Sequence, residues 1–438
     1  MWKASFVKWG MLLLLSVLSF QMQAQSDSLS KEPARFFHQL STILLNTKSP
    51  VYLAKANRLL ARFGSSWNGG HLTAKQQDNV RKVVELMRSK RLRTYPYLYD
   101  YLYGINLLAE TNRKNPEFTA WQRYAAEMLQ QRSRLKSFLD FLSFTENLLE
   151  KHILYGKTTS PWHFRHADFS LHYDTVFSVW FAHLNLIKAS RNDSSMIMQT
   201  AGIFIYKSKL WLGDNGNLKW NRFNNGFEEN YIITDSYHFH LNTNIFQIDS
   251  VRLTYPAFLR KQAVLGRLTD RVLTGKPGAN SVYPRFTSYD NKLYLPEIYP
   301  QISFHGGIEL EGKRFYGTMV NGIRPEVIFS RNRKPVFKLR SRRFEFNKGK
   351  IISTNVDASL LLDKDSIFHP QLQMRYVVAA KKLQLYNISG NSRQIPFFDS
   401  YHKMDLYVPS LLWNLKTDSI VFKKIRGVND NQPARFES

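Results

Sequence analysis

The chain has 438 residues, 43% of them apolar and 14% aromatic, which is material for two or three packed cores and excludes wholesale disorder. It carries 61 Lys and Arg against 34 Asp and Glu, a formal charge of +27, so its expected partners are anionic. It has no cysteine, which excludes disulfides, thiolate metal sites, iron–sulfur clusters and cysteine nucleophiles.

In the opening stretch MWKASFVKWGMLLLLSVLSFQMQAQS, Lys3 and Lys8 flank the start of a short apolar run, Gly10 to Phe20, and Ala24 precedes Gln25. That order reads as a secretory signal peptide over residues 1–24. The run is too short to span a bilayer comfortably, and no Cys follows it to take a lipid. No later run reaches about 18 apolar residues, so no transmembrane helix is expected after cleavage. The expected address is the periplasm or the outer-membrane surface. Export turns the expected anions from nucleic acid to phospholipid headgroups, lipopolysaccharide phosphates and acidic glycans.

Residues 27–156 read as a helical domain. Ser49 is placed as an N-cap with Pro50 at the first helical position. Thr73 and Gln76 form a capping box, and Val80, Val83, Val84 and Met87 follow at helical spacing. The segment after Pro116 makes one long helix or two. Gly64 to Gly70, GSSWNGG, reads as a loop whose Trp67 either stacks on a sugar or plugs the bundle, the plug being favoured. In TYPYLYDYLYG, Tyr95 to Tyr103 alternate as in a strand. After Pro96 the segment is equally readable as a helix, with Tyr97 and Tyr101 near one stripe. These tyrosines offer a glycan platform or, as the favoured reading, a packing interface.

Residues 157–430 change texture. Short runs alternate at period two: Tyr237, Phe239 and Leu241; Val251, Leu253 and Tyr255; Phe337 and Leu339, then a break, then Phe344 and Phe346; Leu372, Met374 and Tyr376. This predicts a large, mainly antiparallel β-region and an α+β fold class. The irregular, proline-rich stretch near 275–300 is the expected place for two subdomains to divide. Gly213 with Gly216, and Gly312, are expected in turns, and Phe346–Lys350 in a hairpin. Asp-Ser recurs before an apolar residue at Asp235, Asp249, Asp365 and Asp418. The expected reason is local: these side chains bond nearby backbone and steady the start of a strand. Their irregular spacing argues against a short-period solenoid. Residues 431–438 read as a tail or the start of a continuation.

Chemistry is sparser. His166, Asp168 and His172 share one parity in PWHFRHADFSLHYD, and these residue types bind borderline metals, though at no known zinc spacing. Glu228 with Glu229, and Glu309 with Glu311, are candidate acid pairs, but neighbouring acids alone do not give the opposed geometry of a glycosidase. Exposed turns are the expected account of both. No nucleophile elbow, nucleotide-binding glycine loop or His-Glu-x-x-His pattern occurs. No cofactor is expected.

The ending QMQAQ of the opening stretch, the Tyr/Asn/Lys-rich β-region and the segment LLDKDSIFHPQLQMRY…IPFFDSYHKMDLY resemble large exported proteins of Bacteroidota that carry no assigned function. The resemblance implies export and a long β-rich body behind a helical segment, and no activity. The expected role is that of a non-enzymatic structural or interaction protein of the cell envelope, meeting an envelope protein, an anionic glycan or a lipid. A polysaccharide-acting enzyme and a lipid-handling periplasmic protein are the alternatives.

Overall fold

A computed structural model describes residues 29–111, 115–130, 134–220, 231–278, 280–387, 395–417, 419–423 and 435–437. The fold is α+β: helices come first, and a mainly antiparallel β-region follows. Among the described residues, no helix is long and apolar enough to cross a membrane. The chain divides into two compact units. The first comprises residues up to Tyr155 with 167–182 and 203–209; the second holds 156–166, 183–202 and everything from Leu210 on.

The first unit contains α1 (Pro33–Leu45), α2 (Pro50–Asn68), α3 (Ala74–Ser89), a π-turn (Thr94–Leu98), α4 (Tyr99–Glu110), α5 (Asn115–Gln130) and α6 (Leu135–Glu150). Ser49 caps α2, accepting from the Tyr52 amide with Pro50 following. The Thr73–Gln76 capping box starts α3, each side chain serving the other's backbone. The stretch expected as a loop does not interrupt α2, which runs on to Asn68 because its apolar face continues through Phe63 and Trp67. The segment after Pro116 is two helices. Rings close this core: Tyr124 and Phe141 lie 4.9 Å apart, each packs on Phe177, and Phe141 lies 5.4 Å from Tyr206.

The second unit is built from long antiparallel strands in meander order. After β1 (Ile153–Tyr155), β2 (Trp162–Tyr173), β3 (Phe177–Ala189) and β4 (Ser194–Ile205) come β5 (Leu210–Lys219), β6 (Tyr231–His240), β7 (Phe246–Thr254), β8 (Ala263–Asp270), β9 (Arg285–Ser288), β10 (Leu293–Tyr299) and β11 (Ile302–Glu311). Then follow β12 (Arg314–Thr318), β13 (Glu326–Arg331), β14 (Lys334–Ser341), β15 (Arg343–Asn347), β16 (Lys350–Leu362) and β17 (Asp365–Val377). The last are β18 (Lys382–Tyr386), β19 (Phe397–Asp399), β20 (Met404–Tyr407), β21 (Ser410–Asn414), β22 (Ile420–Lys423) and β23 (Arg435–Glu437). Near 275–300, β9 pairs with β8 and β11, and β10 pairs with β11.

The longer of these strands, β5, β6, β7, β11, β16 and β17, are broken near the middle. The C-terminal half of β11 lies between β9 and β12, while its N-terminal half lies between β10 and β13. The same split continues through β15 and β14 to the two halves of β16 and β17. It ends with β18, β21 and β22 on one side and β19, β20 and β23 on the other. The two half-sheets face each other. Phe329 on β13 lies 5.1 Å from Tyr376 on β17, and Phe337 on β14 lies 5.3 Å from Trp413 on β21, ring to ring between strands that do not pair. Their inner residues are almost all apolar, and the buried His369 is an exception, its Nε2 2.9 Å from the Ile395 carbonyl.

At the bends the alternation skips a residue. Asp214-Asn215, Asp235-Ser236, Asp249-Ser250 and Thr354-Asn355 are exposed as pairs, with buried residues on both sides. Asn215, Ser250 and Gln371 adopt left-handed φ of 53°, 58° and 62°, the mark of an inserted residue. The Asp-Ser motif is thereby corrected at two positions: Asp235-Ser236 and Asp249-Ser250 are mid-strand bends. Asp365-Ser366 does begin a strand, and Asp418 lies outside the described residues. Gly213 and Gly216 likewise belong to β5 and not to a turn. At Gly213 a Cβ would sit 2.1 Å from the Tyr237 ring.

One bend is held by two buried serines. Ser341 Oγ lies 2.8 Å from Ser353 Oγ and 2.6 Å from the Asn355 carbonyl, and Ser353 Oγ lies 2.8 Å from the Arg343 carbonyl. Ser341→Ala and Ser353→Ala are each expected to cost about 1–3 kcal/mol, because a buried partner is left unmatched. Denaturant unfolding measures this, and a neutral effect of both would show that the serines do not hold the bend.

Candidate functional site

The residues singled out from sequence do not gather into one site. Trp67 is buried, donates through Nε1 to the Pro33 carbonyl at 3.1 Å and packs on Phe36 and Phe63, so it is the bundle plug. Tyr101 is buried against Trp121, and Tyr97 is half-buried in the π-turn. Glu228 and Glu229 lie outside the described residues. His166, Asp168 and His172 are all exposed, and no group of His, Asp or Glu among the described residues is arranged to hold a metal. His172 instead stacks on Trp180 at 4.4 Å and bonds Ser170 at 2.8 Å.

The tyrosine run forms a ladder at helical spacing that the strand reading misses. Tyr52 stacks on Tyr95 at 4.3 Å, and Tyr95, Tyr99 and Tyr103 follow one another at 5.6 and 6.2 Å. Lys55 sits over Tyr99, and Arg62 sits over Tyr103 while gripping Glu110 through both carboxylate oxygens. Rings stacked on one another have little face left for a sugar, so the ladder reads as a staple between α2 and α4. Within it, Asp100 is half-buried, and burial together with the neighbouring Glu146 raises its pKa to about 6 against a partial offset from Lys55.

A denser cluster lies on the outer face of the second unit. Glu309 and Glu311 alternate along β11, and the register sets Glu309 opposite Tyr316 and Thr287, and Glu311 opposite Arg314 and Arg285. Thr318 on β12 faces Arg343 at the start of β15. Both acids are buried, at 4% and 7% exposure, which corrects the expectation of exposed turns. Isolated carboxylates would not stay there without cationic partners. Arg285 binds Glu309 and approaches Glu311 at 3.7 Å; Arg343 reaches both acids at 3.0 Å; Arg314 reaches Glu311 at 3.4 Å. The Arg343 guanidinium also lies 3.5 Å over the Tyr316 ring.

Donors outnumber acceptors in this cluster. Three guanidiniums carry about fifteen N–H donors, while two carboxylates offer at most about eight lone-pair sites. The Asn280 carbonyl takes one Arg314 donor, and Arg314 Nε is buried with no partner among the described residues. Arg285 and Arg343 are about half exposed, at 47% and 42%. The arrangement therefore holds forked donors in fixed positions facing solvent, suited to a carboxylate, sulfate or phosphate group. Glu345, set opposite Tyr316 in the register, limits the surplus charge on that side. Sequence reading found the two acids and missed the arginines, which come from three other strands; their one signal was parity within GKRFYG and RRFEF.

Comparison of the chain with models of protein families, with curated proteins and with solved structures finds no match.

The Asp100 shift gives a signed expectation. A carboxyl whose folded pKa is raised favours folding below its unfolded value near 3.8 and loses that benefit as pH rises through about 6. Asp100→Asn is expected to raise the thermal midpoint above pH 6, with the gain fading toward pH 3.8. A gain independent of pH would contradict this assignment.

Proposed function

We propose that the chain is an exported, non-enzymatic interaction protein of the cell envelope whose β-region holds an anionic glycan. The carrying observation is the arginine cluster, with the forks of Arg285 and Arg343 fixed by buried Glu309 and Glu311 while both side chains stay about half exposed. The excess of 61 Lys and Arg over 34 Asp and Glu supports the same partner chemistry, and the signal-like opening and the resemblance to exported Bacteroidota proteins support the address. The enzyme alternative draws less support, because the oxygens of Glu309 and Glu311 face arginines and Asp100 lies inside a tyrosine staple.

A lipid-handling role is favoured by one feature, the almost wholly apolar inner faces of the half-sheets. Those faces are filled by their own rings. A partly open pocket lined by Met196, Met198, Trp220 and Leu268, and also by Ser195 and Asp270, measures about 160 Å³. That is below the few hundred Å³ typical of small-molecule sites.

Binding to a polyuronate, measured by titration at fixed salt, tests the glycan reading. Arg285→Gln with Arg343→Gln is expected to weaken binding by about tenfold or more, at roughly 1–3 kcal/mol for charge-assisted contacts. Arg343→Lys keeps the charge without the fork and is expected to lose less. Unchanged affinity in both variants, with folding verified, would overturn the assignment.

A further inference from the structure

The turn between α1 and α2 carries a feature that neither the core nor the arginine cluster uses. Residues Pro50 to Lys55, the opening of α2, are all exposed. Among them Val51, Tyr52 and Leu53 are 64%, 41% and 39% exposed, and Leu45 across the turn is 37% exposed. Single exposed apolar residues are ordinary, but four large ones on one turn form a patch. The inward face of α2 is satisfied separately by Ala56, Leu59, Phe63 and Trp67, so these residues are not displaced core.

A second segment is tied to this turn. The Tyr95 hydroxyl donates to the Leu44 carbonyl at 2.8 Å and lies 3.3 Å from the Tyr52 carbonyl, and its ring stacks on Tyr52 at 4.3 Å. That brings the stretch after α3, with exposed Arg91 and Arg93, beside the apolar turn. The sequence on both sides of the patch is cationic, while in the fold Lys55 lies near Asp100 and Arg62 is paired with Glu110. The sequence holds no acidic residue between Glu32 and Asp78, and none between Glu85 and Asp100. Those two stretches carry Lys48, Lys55, Arg58, Arg62 and Lys75, and Arg88, Lys90, Arg91 and Arg93.

An apolar tip with a tyrosine at its base and a cationic flank matches a lipid interface. The aliphatic side chains enter the acyl region, the tyrosine sits at the boundary, and Lys and Arg keep their heads in the anionic headgroup layer. A protein partner would also bury the tip, but exposed Lys48, Arg91 and Arg93 at its side select an anionic surface. We propose that Leu45, Val51 and Leu53 insert into an anionic lipid surface, with Tyr52 at the boundary and Lys48, Arg91 and Arg93 at headgroup level. This docking element is independent of the glycan site, lies in the other unit and can fail or succeed without it.

The absence of cysteine allows a local readout on the full chain. Val51→Cys and Leu53→Cys, each carrying an environment-sensitive fluorophore, are mixed with phosphatidylglycerol-containing vesicles. Lys75→Cys serves as the control, because it lies near the opposite end of α3 from Arg91, about 20 Å along the helix. The expected result is a blue shift at positions 51 and 53, none at 75, and little response to phosphatidylcholine vesicles. Adding Lys48→Glu, Arg91→Glu and Arg93→Glu is expected to raise the lipid concentration needed by at least about tenfold. No shift at 51 and 53, an equal shift at 75, or an equal response to neutral vesicles would each overturn the proposal. These substitutions are on exposed side chains, and circular dichroism verifies the fold.

Discussion

A β-strand points its side chains alternately to two faces, so a strand that turns a corner must break its period if both halves are to keep the apolar side inward. The second unit depends on that constraint. At Asp214-Asn215, Asp235-Ser236, Asp249-Ser250 and Thr354-Asn355 the alternation skips, and the buried set moves to the other parity. The extra residue bends the strand and leaves local polar groups to be matched. At Ser341 and Ser353 hydroxyls match them from within. At Asp249-Ser250 the Tyr289 hydroxyl bonds both the Asp249 carboxylate and the Ser250 amide, while Arg267 holds the same carboxylate. Once bent, the meander can bring Phe329 to Tyr376 and Phe337 to Trp413 between strands distant in the hydrogen-bonded order.

This explains which parts of the molecule were readable from residues alone. The capping box at Thr73, the N-cap at Ser49 and the alternating runs around Phe239, Val251 and Tyr376 are local signals, and they lie where the spacing puts them. At Asp235 and Asp249 the Asp-Ser repeat was a real signal attached to the wrong position, while at Asp365 it does begin a strand. Polar pairs suit a bend inside a strand as well as the start of one, and only pairing register separates the two. Gly213 misled for a similar reason: a glycine expected in a turn is required mid-strand by the close approach of Tyr237. The loop expected at Trp67 failed because burial of one helical face outweighs the poor helix propensity of two serines and a glycine.

Function was less legible than fold, and the charge shows why. Glu309 and Glu311 looked like turn residues because burial of an acid is invisible without its partners. Those partners, Arg285, Arg314 and Arg343, come from strands up to tens of residues away. The net positive charge is read easily from composition, yet its meaning depends on where cations gather without acids. In the second unit they gather in fixed forks over buried carboxylates. In the first they flank an apolar turn in stretches free of Asp and Glu. The two proposed surfaces suit one chemistry of partner, an anion.

The bent half-sheets pack on each other through their rings. A double-mutant cycle on Phe337 and Trp413, each changed to Leu, tests it most directly, since the two residues do not share a hydrogen-bonded strand pair and lie 5.3 Å apart only if the halves face each other. A coupling of about 0.5–1.5 kcal/mol in unfolding free energy is expected. Strict additivity, within about 0.3–0.5 kcal/mol, would contradict it.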